Sequence, residues 1–156
     1  MNSKLDSNYI VGFVDGEGCF SVSINNRSDG RSEVRLIFEI ELREDDLEIL
    51  ERIKEILGCG NIYHLTYERY VKWKPHYKYK VSNFKDINEK IIPFFQKFPL
   101  QAKKKQSFAV FSQVAKLIEK KQHLKEEQVE AIRLIRKNIN RDSLDALDRH
   151  VQWGAK

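Results

Sequence analysis

The 156-residue sequence has few of the residues that build disulfide frameworks or zinc sites. Its two cysteines, Cys19 and Cys59, form no Cys-x-x-Cys pair, and its four histidines lack zinc-ligand spacing. No apolar run approaches the length of a membrane span, and residues 1–8 are too polar for a signal peptide. We therefore expect one soluble, intracellular domain over 1–156 without a membrane partner, its compartment (organellar or cytoplasmic) left open.

The positive charge of the chain is concentrated in particular regions. The net charge is +5, yet residues 39–55 hold eight acids against three bases. Residues 61–85 hold six bases against one acid, and residues 101–125 hold seven lysines against one acid. A regional excess of cations is typical of a surface that binds a polyanion, so the charge pattern favours a nucleic-acid partner.

Two alternating stretches predict a β-hairpin near the start of the chain. Apolar and polar residues alternate over 19–25 and again over 31–42, and the Ser-Asp-Gly turn signal at 28–30 lies between them. A helix with a period of 3.6 follows, capped by Asp45 or Asp46 and ended by Gly58 and Gly60.

The remaining elements complete an α+β fold. A short helix over 7–15 precedes the first hairpin, and a second hairpin is predicted at 61–67 and 70–82. Further helices are predicted at 84–96, 102–121, 125–138 and 142–150. The order is αββαββα with extra C-terminal helices, which predicts a four-stranded antiparallel sheet backed by helices.

The stretch 70–82 carries cations and apolar residues on opposite faces. Its lysines have even numbers and its aromatic residues mostly odd numbers, and side chains alternate between the faces of a strand. A solvated face is one interpretation; contact with duplex DNA is the other, because Lys and Arg bind phosphate and Glu accepts from cytosine N4. The candidate DNA-binding residues are Ser21, Ser23, Asn25, Arg27, Arg31, Glu33, Arg35, Glu39, Lys72, Lys74, Lys78 and Lys80.

The stretch "YIVGFVDGEG" at 9–18 places two acids at the end of a helix. The helix dipole disfavours anions there, so a compensating cation or donor is expected. A carboxylate beside free backbone carbonyls is a hard-oxygen site suited to Mg²⁺ or a similar divalent ion such as Mn²⁺. The alternative is a capping turn in which Asp15 and Glu17 are simply solvated. Gly12 and Gly16 share one helix face, where a second backbone can approach closely.

Residues 10–18 resemble the LAGLIDADG motif of the homing endonucleases, position for position. Residues 36–62 are similar to that family's second strand, second helix and the glycine-flanked start of its third strand. Residues 91–111 are similar to its third helix and the basic turn after it. The resemblance thus covers most of the chain, and its segments occur in the family's order.

The resemblance implies specific roles for the motif residues. In this family two motif helices pack against each other, so the expected dimer interface is Tyr9, Gly12, Phe13, Asp15 and Gly16. Glu17 is expected to bind the metal ion together with the carbonyl of Gly16, and Asp15 to bond backbone groups across the helix pair. Lys103, in the basic turn, is the expected catalytic lysine, with Lys104 and Lys105 as alternatives.

The chain contains one such motif, and nothing after residue 18 resembles a second. A single motif implies a C₂ homodimer on double-stranded DNA, with a long and nearly palindromic target site. The implied function is metal-dependent, site-specific cleavage of both DNA strands. The alternative is a DNA- or RNA-binding module without cleavage, such as an intron maturase or a regulator. The family often has a glutamine where this chain has Leu42, so the group that orders water there stays unassigned.

Overall fold

A computed structural model of the chain describes residues 4–66 and 74–137. The elements run α1 (Ser7–Glu17), β1 (Gly18–Asn26), β2 (Ser32–Arg43), α2 (Leu47–Leu57), β3 (Asn61–Leu65) and β4 (His76–Val81). They continue with α3 (Phe84–Asp86), a π-helical turn (Ile87–Ile91), α4 (Ile92–Lys97) and α5 (Lys104–Glu119). A further helix, α6, begins at residue 126 and continues to 137, where the described residues end. The predicted αββαββα order is confirmed, and the predicted helix at 142–150 lies outside the described residues.

The four strands form one antiparallel sheet in the order β1-β2-β4-β3. Gly30, at φ +79°, closes the turn between β1 and β2, where its N–H donates to the carbonyl of Arg27 over 3.0 Å. Gly18 pairs with Ile40 and Phe38 pairs with Val81, so β2 and β4 lie side by side at the centre. The two hairpins therefore present their polar residues on one continuous face.

The start of β4 differs from the prediction. The alternating pattern predicts a strand from residue 70, but the structure begins it at His76, and residues 67–73 lie outside the described part of the chain. Pro75 has no N–H to give to a neighbouring strand, so the ladder begins after it. Its carbonyl still accepts from the N–H of Glu44 over 3.0 Å, which ties the strand to the end of β2.

The start of α2 is also different from the prediction. Neither Asp45 nor Asp46 caps the helix through its side chain, because a 3₁₀ turn at Glu44–Asp46 leads into it instead. The Asp45 carboxylate accepts from Arg43 Nη2 over 2.8 Å. At the other end, Gly58 adopts φ +66° and stops the helix as predicted.

The predicted helix at 84–96 contains a π-helical turn between α3 and α4. Pro93 follows this turn and lacks the N–H of a regular helix. Because the proline ring also clashes with the carbonyl four residues earlier, the backbone widens locally before the helix continues.

An aromatic cluster lies between the sheet and the helices. The ring of Phe20 on β1 lies 5.0 Å from that of Phe38, 5.4 Å from that of Phe95 and 5.3 Å from that of Phe111. All four side chains are buried, so the strands and helices α4 and α5 share one core. Within the described residues, no helix is both long and apolar enough to cross a membrane.

Gly60 and Gly30 offer a matched test of the turn geometry. Both have φ +79°, but a Cβ at Gly60 would lie 2.7 Å from atoms of Tyr79 and Val81, whereas one at Gly30 meets nothing within 4 Å. We expect Gly30→Ala to cost about 1 kcal/mol of backbone strain, and Gly60→Ala about 1–3 kcal/mol more from overpacking. Denaturant unfolding of both variants measures the difference; equal losses would contradict the close packing at Gly60.

Candidate functional site

Helix α1 carries the motif to the edge of the sheet and ends at Glu17, half a turn later than the predicted end at residue 15. Gly18 follows in extended conformation, and its N–H donates to the carbonyl of Val14. A Cβ at Gly18 would lie 2.6 Å from Val14 Cγ1, so a larger residue has no room there. The chain therefore passes directly from the motif helix into β1.

The carboxylate of Asp15 is held by backbone donors. It accepts from the N–H of Gln101 over 2.8 Å and from the N–H of Ala102 over 3.2 Å. These donors belong to the turn before α5 in the same chain, so Asp15 joins the end of α1 to that turn. The expected role of Asp15 across a helix pair stays a prediction, because the structure describes one chain.

Glu17 is exposed at the last position of α1, beside the exposed Gly16. Its carboxylate and the Gly16 carbonyl are hard oxygen donors of the kind that Mg²⁺ prefers. No group of three or more His, Cys, Asp or Glu able to hold an ion occurs within residues 4–66 and 74–137. These two donors therefore fit a divalent cation that completes its shell with water or with oxygens from elsewhere.

Lys104, rather than Lys103, is the basic residue that contacts the motif in the structure. Its Nζ donates to the carbonyl of Val14 over 3.1 Å and to that of Gly16 over 3.4 Å. Burial lowers the pKa of Lys104, while nearby Cys19, Asp15 and Glu17 act in the opposite direction. Lys103 is exposed at the N-cap of α5, so its expected catalytic role stays a prediction.

Lys104 is the compensating cation that two acids at the end of α1 are expected to need. Two acids at a helix C-terminus are unfavourable beside unpaired carbonyls. The ammonium group of Lys104 supplies a positive charge and two hydrogen bonds at that point. The sequence predicts Lys103, with Lys104 and Lys105 as alternatives, because three consecutive lysines give no local signal of which side chain points toward α1.

One face of α1 is largely open within the described residues. Tyr9 is 51% exposed and stacks on Phe13 with ring centroids 6.1 Å apart. A Cβ at Gly12 or Gly16 would meet nothing within 4 Å. The two glycines are thus not required by packing among the described residues, and the expected dimer interface stays a prediction.

Most of the predicted DNA-binding residues lie on the outer face of the sheet. The register places Ser21, Ser23 and Asn25 of β1 beside Ile37, Arg35 and Glu33 of β2, and Glu39 beside Lys80 of β4. Arg27 and Arg31 flank the connecting turn, and Lys74 precedes β4, where its Nζ lies 3.9 Å from Asp45 Oδ2. Lys72 lies outside the described residues. The contacts of these residues with DNA stay predictions.

Glu41 belongs to the same face, although it was not among the predicted DNA-binding residues. Lys78 Nζ lies 3.2 Å from Glu41 Oε2 and 3.6 Å from Glu39 Oε1. The even-odd alternation of β2 places Glu41 on the side of Glu39, so the signal was present in the sequence. Leu42 is buried in the core and contributes no polar group to this face.

Comparison with known proteins identifies the family. The model of the LAGLIDADG endonuclease family matches residues 10–115, which include most of α1, the whole sheet and most of α5. The chain belongs to the LAGLIDADG endonuclease family.

Its relatives include proteins encoded in introns and structures solved on DNA. A probable intron-encoded endonuclease, Cox1-I1b of Schizosaccharomyces pombe, is 27% identical, and the match covers 92% of this chain and 36% of that protein. The meganuclease I-SmaMI, bound to uncleaved DNA with calcium ions, is 29% identical with a TM-score of 0.78, covering 89% of this chain and 47% of that one. The homing endonuclease I-TnaI is 26% identical with a TM-score of 0.79, covering 96% of this chain and 98% of that one.

The extent of these matches differs between relatives. The chain spans between 24% and 41% of the length of the first four curated relatives that it matches. It covers almost the whole of I-TnaI. The LAGLIDADG unit described here therefore corresponds to one part of several longer proteins and to nearly all of a shorter one.

The two motif acids are expected to differ in their effect on stability. Asp15→Asn replaces one acceptor oxygen by a donor, which leaves one of the two backbone N–H groups unpaired, so unfolding free energy should fall by about 1–2 kcal/mol. Glu17→Gln removes an exposed charge at a helix C-terminus and should change stability by less than about 0.5 kcal/mol. Chemical denaturation measures both; equal effects would show that Asp15 does not fasten the turn.

Proposed function

We propose that this LAGLIDADG protein is a site-specific DNA endonuclease that cleaves both strands with the help of a divalent metal ion. The observation that carries the proposal is the placement of Glu17. It is exposed beside the Gly16 carbonyl at the end of α1, next to a sheet face rich in cations and hydrogen-bonding groups. The family match and the DNA-bound I-SmaMI structure support the same activity.

The chemistry assigned to these residues is hydrolysis of a phosphodiester. A divalent ion held by Glu17 and the Gly16 carbonyl would activate water and stabilise charge on the phosphate. Lys104 holds its ammonium group at the same carbonyl, so we assign to it the catalytic lysine's role of supporting the charged phosphate. Asp15 holds the turn that carries Lys104, and the sheet face binds the DNA duplex.

The protein is proposed to act as a homodimer on a nearly palindromic site. The face of α1 formed by Tyr9, Gly12, Phe13 and Gly16 has room for a second helix, and small residues allow close approach. A two-fold pair of α1 helices would bring two copies of Glu17 together. The second copy would then add a second carboxylate near the metal site.

Glu17→Gln tests the metal-dependent cleavage directly. The substitution keeps the shape of the side chain and removes the charge that binds the ion, so cleavage should fall by at least about a hundredfold. DNA binding should persist or tighten, because one negative charge near phosphate is lost. The substrate is a plasmid library with randomised inserts, incubated with Mg²⁺ or Mn²⁺, and the cut ends are sequenced.

The wild-type protein provides the control for this experiment. Normal cutting by Glu17→Gln would remove Glu17 from the mechanism. Sequence-selective DNA binding by wild type without any cutting would instead favour the non-cleaving binding module.

Gly12→Leu tests the dimer interface. A leucine at position 12 has open space in the single chain, so the variant should fold with near-normal stability. In a dimer the added side chain would force two helices apart, and overpacking costs about 1–3 kcal/mol at each copy. Sedimentation should show a dimer for wild type and a monomer for the variant. A wild-type-like dimer of the variant would place the interface elsewhere.

A further inference from the structure

Helix α6 is linked to the last residue of β1. Val129 and Ile132 of α6 are buried in the shared core, so the helix is docked against the rest of the domain. Arg133, the next residue, reaches from that helix to the strand, and its Nη2 donates to Asn26 Oδ1 over 3.2 Å. The two residues are 107 positions apart in the sequence. The docked helix therefore holds the end of β1 at a defined place.

Both partners of this contact are held by further groups. Arg133 Nε lies 3.0 Å from Glu130 Oε1, one turn earlier on α6, which restricts the direction of the guanidinium group. Asn26 is opposite Ser32 in the last pair of the β1–β2 ladder, and its Oδ1 also accepts from Ser32 Oγ over 3.5 Å. Side chains alternate along β1, so Asn26 points to the helix side of the sheet, whereas Asn25 points to the outer face. The contact thus joins α6 to both strands at the base of the turn between them.

The β1–β2 turn (residues 27–31) is held together by its own hydrogen bonds. The N–H of Arg27 donates to the carbonyl of Arg31 over 2.8 Å, and the N–H of Arg31 donates to Asp29 Oδ1 over 3.0 Å. A cavity of about 400 Å³ lies between Arg31 on this turn and Leu124, which precedes α6. The turn therefore has room to tilt as one unit, and its angle depends on how its base is held.

Arg27 and Arg31 are the cations that such a tilt would move. Both are exposed. Arg27 Nε lies 4.0 Å from Asp29 Oδ2, and an ion pair this long between exposed side chains holds the guanidinium group only weakly. Attraction between charges depends on their separation, and a cation already held in place loses less conformational entropy on binding. The position of the turn thus affects how much the two arginines contribute to binding a polyanion.

We propose that Arg133 is a positioning residue for DNA binding. Through its hydrogen bond to Asn26 it fixes the tilt of the β1–β2 turn, and with it the place of Arg27 and Arg31 against phosphate. The inference rests on the proposed DNA-cleaving function and adds to it a residue that acts on DNA through another part of the chain. Strand β1 has nine residues, so its end at Asn26 lies roughly 25–30 Å from its start beside Glu17. Arg133 is therefore assigned to binding and not to the chemistry of cleavage.

The test compares the affinity of variants for a duplex DNA pool of random sequence, without added metal so that no cutting occurs. Arg133→Met and Asn26→Ala remove the same contact, and the second leaves the charge of the protein unchanged. Each should weaken binding about tenfold at low salt and make the slope of log affinity against log salt shallower by about one, because a phosphate contact is lost. Ser32→Ala is the matched control. It removes only the longer hydrogen bond to the same oxygen and should bind DNA like wild type.

A double-variant cycle separates positioning from a purely structural role. In a protein that already carries Arg27→Ala and Arg31→Ala, adding Arg133→Met or Asn26→Ala should cause no further loss of affinity, because the cations that the contact positions are absent. A residue that only stabilised the fold, or that bound phosphate itself, would cause the same loss in both backgrounds. Chemical denaturation of each variant verifies that the proteins compared are folded.

The outcomes distinguish this inference from the proposed function. If wild type does not bind the DNA pool, DNA binding is refuted, and the positioning role with it. If wild type binds but Arg133→Met and Asn26→Ala bind equally well, or lose the same factor in both backgrounds, only the positioning role is refuted. Asn26→Ala changes one exposed side chain at the end of a strand, so it decides the matter even if Arg133→Met does not fold.

Discussion

The carboxylate of Asp15 is the contact on which the candidate site depends. It takes two backbone N–H groups from residues 101 and 102, so the turn before α5 lies directly against the end of α1. That placement brings Lys104 within reach of the carbonyls of Val14 and Gly16. The ammonium group of Lys104 thus lies at the end of the helix, its hydrogen bonds reach the backbone oxygens there, and Glu17 stays exposed.

The charged side chains on the outer face of the sheet lie in two kinds of environment. Lys78 is enclosed between two carboxylates, whereas Arg27, Arg31 and Lys74 lie at the ends of strands and are largely exposed. Exposed cations attract phosphate at any sequence, whereas Lys78 already lies close to two acids of the neighbouring strand. The exposed cations are therefore the groups on this face that would contribute most to attraction of a polyanion.

The local sequence pattern was sufficient to predict most of the fold. Strand faces follow a period of two, so the burial of Phe38 and Tyr79 and the greater exposure of their neighbours could be predicted from alternation alone. The glycines that stop α2 and the order αββαββα are likewise local properties. The pattern was wrong about the start of β4, which begins after Pro75 because proline has no N–H for the ladder. It was also wrong about the cap of α2, because a 3₁₀ turn at Glu44–Asp46 leads into that helix.

The sequence by itself determined the motif, the polar and apolar faces of the strands and the identity of the two acids. The tertiary structure decided which groups meet: Asp15 with the turn at 101 and 102, Lys104 with the end of α1, and Lys78 with Glu39 and Glu41. These partners are separated by between 37 and about 90 positions along the chain. Their contacts depend on strand register and helix packing, which no local pattern of residues specifies.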